Sequence, residues 1–258
     1  MDLIINIFNL ILYQPLFNAL ILLYEYLPGH DFGVAVIILT IIIRIILYPL
    51  MTQSIRSQKI LTELQPRIQE IQKKYKDDKA QQGRAMMELY QKEKFNPFGG
   101  CFPLLAQFPI LIALYQLFWK GLRVEQTTLL YSFVPNPGAI NSTFLGIIDL
   151  ARSATVKIDN ITHFLWPNII LIILVGIIQF IQTKMSYPKT GNIKKDGSQM
   201  FQFSGMMQKQ MLYFFPVFTI FILWNLPSAL GLYWLVTTLF SIAQQYLIYR
   251  KPIYAQPK

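Results

Sequence analysis

The chain has 258 residues, of which 53% are hydrophobic and 14% charged, with a net charge of +10 at pH 7. Soluble domains carry nearer a quarter charged residues, so the composition argues against a water-soluble fold and points to lipid as the solvent. A single cysteine excludes an internal disulfide or a multi-cysteine zinc site, and His30 and His163 stand in no metal or nucleophile pattern, so no metal or cofactor is expected.

The predicted fold is an all-α membrane protein: a five-transmembrane-helix bundle with a cytoplasmic helical hairpin and an N-terminal interfacial helix. Residues 1–31 form an outer segment. Its stretch 3–24 is apolar enough to cross a bilayer, but Gln14-Pro15 interrupts the run, and Glu25, Pro28, Gly29, His30 and Asp31 follow it. Residues 15–26 are therefore read as a helix in the outer interface, with a sixth crossing as the alternative. No basic region precedes the run, which argues against a signal peptide.

The first span, 32–52, has the apolar core FGVAVIILTIIIRIILYPLM over 32–51. Residues 53–97 are too charged to enter lipid. They show a helical stripe at Ile60, Leu64, Ile68, Ile71 and Tyr75, then a second arm over 81–94 with Met86, Leu89 and Tyr90 on one side. Asp77-Asp78-Lys79 is the expected turn, and Pro66 is expected to open a fresh helix or kink the first arm. This hairpin is either a solvated helix pair or a docking arm for a ribosome, a targeting receptor or a nascent chain.

The second span is 98–120, with its apolar core at 100–119. The outer loop 121–163 contains Val134-Pro135-Asn136-Pro137-Gly138 and is expected to mix short helix with irregular chain. The third span is 164–184. A cytoplasmic loop at 185–209 follows, with a stretch rich in Gly, Lys, Ser and Gln over 189–205 that reads as mobile. Residues 210–249 form a closing two-span hairpin, turned at Asn225, Pro227 and Ser228, and 250–258 is a cytoplasmic tail.

Lys and Arg accumulate on the cytoplasmic side of membrane proteins. Residues 53–97 hold ten, 184–209 hold five and the tail holds three, against Lys120, Arg123, Arg152 and Lys157 in the alternate segments. Eighteen against four sets the N-terminus outside and the C-terminus inside. The same asymmetry accounts for the net charge of +10 without nucleic acid, and no sequence-specific nucleic-acid partner is expected. A basic cytoplasmic face also suits anionic lipid or a ribosome.

Arg44 is the one basic residue in the interior of a span, Lys120 and Lys184 standing at span ends. Arginine at a span centre costs about 2.5–3.5 kcal/mol on insertion scales. All thirteen acids fall outside the five spans, so no acidic partner is expected at membrane depth. Two readings remain open. Arg44 snorkels to lipid phosphate, or it sits in a wet recess lined by neutral polar groups, among which Thr40, Gln107, Gln179, Gln182, Asn225, Thr237, Thr238, Gln244 and Gln245 are candidates. A positive charge in such a recess attracts acidic groups. Lack of membrane carboxylates weighs against proton- and sodium-coupled transport, and five spans do not divide into two equal repeats.

Several stretches resemble the YidC/Oxa/Alb insertases. GVAVIILTIIIRIILYPL, with Arg44 five residues before Pro49, resembles the opening core helix of that family. LQPRIQEIQKKYKDDK followed by MMELYQKEKFNPFGGCFPLLAQFPILIALYQLF is similar to its most recognisable passage, with Asn96-Pro97, Gly99-Gly100-Cys101 and Gln107-Phe108-Pro109 in place. PSALGLYWLVTTLFSIAQQYLIYR resembles its closing hairpin and last span. The match covers nearly the whole chain in order.

The resemblance implies a bacterial plasma-membrane insertase and chaperone, not an enzyme. Its five spans would enclose a hydrophilic groove carrying Arg44, with Thr40, Gln107, Gln179, Gln182 and Trp234 as groove residues. It also implies a cytoplasmic docking hairpin, with Arg67, Lys73, Lys74 and Tyr75 as the docking residues. The implied partners are nascent membrane proteins with short or acidic outer tails and membrane lipid, with the ribosome, signal recognition machinery and Sec translocon as further candidates. The tail RKPIYAQPK lacks the long basic extension some members use to hold ribosomes, so the resemblance does not carry over strong ribosome affinity. The competing readings are a transporter or channel using Arg44 as an anion site, and a structural subunit of another membrane complex.

Overall fold

The computed structural model describes residues 2–93, 95–96, 102–120, 129–159, 161–186 and 199–250. Pro97, the Gly99-Gly100-Cys101 stretch, the heart of the 185–209 loop and the tail beyond Arg250 lie outside the described residues. Helices dominate in the order α1 (Asp2–Phe8), a π-helical turn (Asn9–Tyr13), α2 (Gln14–Tyr26), α3 (Phe32–Ile46), α4 (Tyr48–Lys74), α5 (Lys79–Lys92), α6 (Phe102–Lys120), α7 (Trp166–Ser186), α8 (Gln199–Leu223) and α9 (Ser228–Tyr249). The chain divides into two compact units. One comprises Met1–Leu47, Leu104–Gln179 and Pro216–Phe240, the other Tyr48–Pro103, Phe180–Phe215 and Ser241–Lys258.

Several helix boundaries differ from expectation. Gln14-Pro15 does not interrupt the N-terminal helix. The wider π turn at Asn9–Tyr13 absorbs the missing Pro15 N–H and the crowding of its ring, and the helix runs on. α3 stops at Ile46, short of the expected end of the first span, because Pro49 has no N–H to continue the ladder and its ring crowds the carbonyl one turn back. α4 then starts at Tyr48 with Pro49 in its first turn, where no N–H is required. Pro66 starts no new helix and lies inside α4. Helix α8 already begins at Gln199, so residues 199–205 of the expected mobile loop are helical.

The fold is also not purely helical. The loop before α7 contains two antiparallel hairpins, β1 (Thr143–Phe144) with β2 (Ile148–Asp149) and β3 (Thr155–Ile158) with β4 (Ile161–Phe164). The threonine and β-branched residues of 143–164 suit extended chain, and Leu145, Gly146 and Asp159 take the positive φ values of tight turns.

In the first unit the core runs through Phe17, Leu20, Ile21, Phe32, Val36, Leu114, Leu117, Leu150, Ile172 and Leu230. The loop at 141–154 holds the starts of three helices. Asp31 caps α3 by accepting from Val34 N at 3.0 Å, and its other oxygen accepts from Leu145 N at 2.8 Å. Asn168, in the first turn of α7, donates to the carbonyls of Asp149 (2.8 Å) and Arg152 (3.2 Å) and to Ser228 Oγ (2.8 Å). At the start of α9, Ser228 N donates to Arg152 O and Ala229 N to Leu150 O. α3, α7 and α9 therefore all begin at one end of this unit.

Gly33 lets the loop approach α3, because a Cβ there would overlap the Phe144 ring. Gly33→Ala is expected to displace β1–β2 and lower stability by about 1–3 kcal/mol. A thermal melt in detergent reads this directly, and an unchanged midpoint would show that the hairpin yields freely.

In the second unit α4 and α5 pack through Leu64, Ile68 and Phe95, with Ile60, Leu61, Met86, Leu89 and Tyr90 against them. Asp78 caps α5 by accepting from Gln81 N at 2.9 Å. Burial pushes the Tyr90 phenol above its ordinary range, so it packs as a neutral ring at 5.2 Å from Phe95.

Large apolar side chains cover the outside of several helices. Ile170, Ile173, Ile177 and Ile181 are exposed on α7, and Phe214, Val217, Phe218 and Phe221 on α8. On α9 the pattern is inverted relative to a water-soluble helix: Thr238, Ser241, Gln244 and Gln245 are buried while Leu239 and Leu247 are exposed. Among the described residues two helices are long and apolar enough to cross a membrane, Ile5–Tyr26 and Trp166–Ser186, and a third if α3 and α4 form one broken span. The first of these has the length for the sixth crossing that the sequence left as an alternative.

Candidate functional site: a buried arginine between helices

Arg44 lies in the last turn of α3 and is only 4% exposed. Its Nη2 donates to the Thr237 carbonyl on α9 at 2.9 Å, and its guanidinium carbon lies 5.8 Å from the centroid of the Phe240 ring. A guanidinium needs several acceptors in a fixed fork and stacks readily on aromatic faces, so a helix carbonyl and a phenyl ring suit it better than they would an ammonium. One helical turn before Thr237, Tyr233 is 2% exposed, and its hydroxyl accepts from Gln107 Nε2 on α6. Tyr233 also interacts with Thr237 and with the charge on Arg44. Tyr233 thus links Gln107 of α6 to the surroundings of the cation on α3.

The expected groove residues divide accordingly. Arg44 and Gln107 are brought together through Tyr233 and Thr237. Thr40 is buried one turn before Arg44, and its hydroxyl donates to Val36 O within its own helix at 2.6 Å. Trp234 is half-buried, and its carbonyl accepts from Thr238 Oγ1 at 2.8 Å. Gln179 is half-buried on α7. Gln182 belongs to the other unit, where its carbonyl accepts from Ser186 Oγ.

Sequence reasoning passed over Tyr233 and Phe240. Their spacing carried the signal: 233, 237 and 240 follow the three- and four-residue steps of one helix face. It also passed over Lys59, which is 8% exposed in the second unit and directs Nζ at the last carbonyls of α9, Ile248 (3.4 Å) and Tyr249 (3.3 Å). A cation there complements the negative end of the helix dipole.

Of the expected docking residues, Lys73 and Lys74 are exposed in the last turn of α4, with Lys74 Nζ 5.3 Å from the Tyr75 ring. Arg67 pairs with Glu93, which ends α5, and so ties the two helices together. Because the arginine is 59% exposed, the pair is screened by solvent. Arg67→Ala is expected to cost less than about 1 kcal/mol in a denaturation measurement, whereas a larger loss would mean the pair is a main fastening of this helix pair.

Apolar outer faces, a buried polar row on α9 and a cation inside the helix packing define an α-helical membrane protein with a charged interior site. A family model described as "60Kd inner membrane protein" matches residues 22–255. The chain belongs to that family, the YidC/Oxa/Alb proteins. A Geobacter metallireducens protein named "Membrane protein insertase YidC" is 35% identical over 245 residues, covering 95% of this chain and 38% of that one. A Fusobacterium nucleatum protein of the same name is 33% identical over 221 residues, covering 86% of this chain and 87% of that one. Among solved structures, "Active YidC insertase crystal structure with the first transmembrane domain resolved" matches with a TM-score of 0.56 and 26% identity, over 91% of this chain and 46% of that chain. The chain spans about two fifths of the length of the Geobacter relatives it matches.

Proposed function

We propose that this protein is a membrane-protein insertase and chaperone rather than an enzyme, using the Arg44 site to receive acidic or short polar outer tails of nascent membrane proteins. The observation that carries the reading is Arg44, 4% exposed at the end of α3, with its guanidinium held by the Thr237 carbonyl of α9. A cation in a low-dielectric interior exerts a field that water would otherwise quench. An acidic tail entering a hydrated groove beside Arg44, with Thr40, Gln107, Gln179 and Trp234 along it, is attracted part of the way across. Burial of the following segment of about 20 apolar residues then drives insertion without a nucleotide.

The proposed topology has five spans, the N-terminus outside, the C-terminus inside and α4–α5 as a cytoplasmic hairpin with Arg67, Lys73, Lys74 and Tyr75 available for docking. Parallel odd-numbered spans are supported by α3, α7 and α9 beginning at one end of their unit. The interfacial placement of α2 is supported by its hydrogen bonds to the outer loop. Gln14 and Asn18 donate to Leu129 O, Asn18 Oδ1 accepts from Tyr131 N, and Tyr24 OH accepts from Asn141 N. These contacts extend along about 15 Å of helix, as for a helix lying beside the loop. The ribosome, signal recognition machinery and Sec translocon remain proposed partners at the cytoplasmic face and in the bilayer.

The test is insertion of a single-span client with a short acidic outer tail into vesicles containing only the purified protein. Insertion above that of protein-free vesicles is expected. Its absence, or chloride flux in place of insertion, would overturn the reading in favour of an anion-conducting protein.

A further inference from the structure

The turn between β1 and β2 is built against two local rules. Ile147 N donates to Phe144 O at 3.0 Å, and the two central residues, Leu145 and Gly146, take φ values of 51° and 72°. Such a turn favours Asn or Gly at both central positions, yet a leucine occupies the first, in a conformation that L side chains adopt at a cost. Leu145 and Ile147 are also 65% and 68% exposed. The tip is held firmly, because Asp31 accepts from Leu145 N, Ser142 Oγ donates to Asp149 Oδ1, and Phe144 packs against Gly33. A braced turn therefore displays two large apolar side chains that the rest of its unit leaves uncovered.

Depth identifies what covers them. Asp31 is the N-cap of α3, so the turn lies level with the first turn of that helix. The second hairpin is placed similarly. Leu165 N donates to Ala154 O, and Phe164 at the end of β4 lies 6.3 Å ring to ring from Trp166, the first residue of α7. Trp166, Phe164 and Ile161 are all exposed, and Trp166 leads into the exposed isoleucines of a helix long and apolar enough to span a bilayer. The apolar surface is thus continuous from that lipid-facing stripe into the hairpin. Aromatic rings collect where spans meet headgroups, and Lys157, exposed on β3, adds a cation suited to anionic headgroups.

We infer that both hairpins rest in the headgroup layer of the leaflet at which α3 and α7 begin, with Leu145 and Ile147 dipping towards the acyl chains and the lipid surface as their partner. The inference requires α7 to cross the bilayer and is independent of insertase activity. The test uses nitroxide labels on single cysteines in a Cys101→Ser background, in vesicles of phosphatidylethanolamine and phosphatidylglycerol. Labels replace Leu145 or Ile147, with Ile170→Cys on α7 as the lipid reference and Gln91→Cys on α5 as the water reference. The ratio of collisions with oxygen to collisions with a water-soluble nickel chelate is expected to be several-fold higher at 145 and 147 than at 91, approaching that at 170. Ratios at 145 and 147 equal to that at 91 overturn the inference, whatever position 170 reads.

Discussion

Arg44→Glu is expected to abolish insertion of clients with acidic tails, and Arg44→Lys to retain most of it. The glutamate variant reverses the field in the proposed groove and places a carboxylate beside the Thr237 carbonyl, where two acceptors face each other. A penalty of about 1.4 kcal/mol on tail entry is a tenfold loss, and replacing attraction with repulsion in a low-dielectric site exceeds that. Lysine keeps the charge but not the planar fork, so its contact with Thr237 and its stacking on Phe240 weaken while its pull on an acid persists. The readout is protease protection of client tails in vesicles, comparing tails that carry acids with neutral versions. Equal insertion of both tails by Arg44→Glu would remove the charge from the mechanism and leave Arg44 as a structural tie between α3 and α9.

Asn168→Ala is the second large effect, and it acts on stability. Asn168 is 1% exposed and joins the loop before α7, at Asp149 and Arg152, to the start of α9 at Ser228. Ser228 N still bonds to Arg152 O and Arg152 N to Asp149 O after the substitution, so the loss falls mainly on the Ser228 hydroxyl. Leaving buried polar groups unsatisfied costs about 1–3 kcal/mol. The thermal midpoint of the purified protein should fall by several degrees, and Asn168→Asp, which removes the donor but keeps the shape, should fall at least as far. A midpoint unchanged in both variants would show that loop packing around Leu150, which is fully buried, suffices by itself.

How much of this was legible beforehand differs between elements. α7 matches the third predicted span because a bilayer imposes one rule, a long apolar run, that composition alone reveals. The α4–α5 stripe was readable for a similar reason: Leu64, Ile68, Met86, Leu89 and Tyr90 repeat at helical spacing. The N-terminal helix was misread at Pro15, since one π turn cancels a proline's effect and leaves no mark in residue type. The hairpins at 143–164 were read as helix and irregular chain because two- and four-residue strands are too short for an alternation to stand out.

The sequence by itself determined the solvent, the apolar helices and the one arginine within them, because hydropathy and charge are properties of each residue wherever the chain goes. Tertiary structure alone decided which groups meet that arginine. The Thr237 carbonyl belongs to no side chain, and Phe240 and Tyr233 lie nearly two hundred residues away in the chain. The loop that gathers the starts of α3, α7 and α9 likewise works through main-chain carbonyls at 149, 150 and 152, groups that every residue carries and no sequence pattern distinguishes.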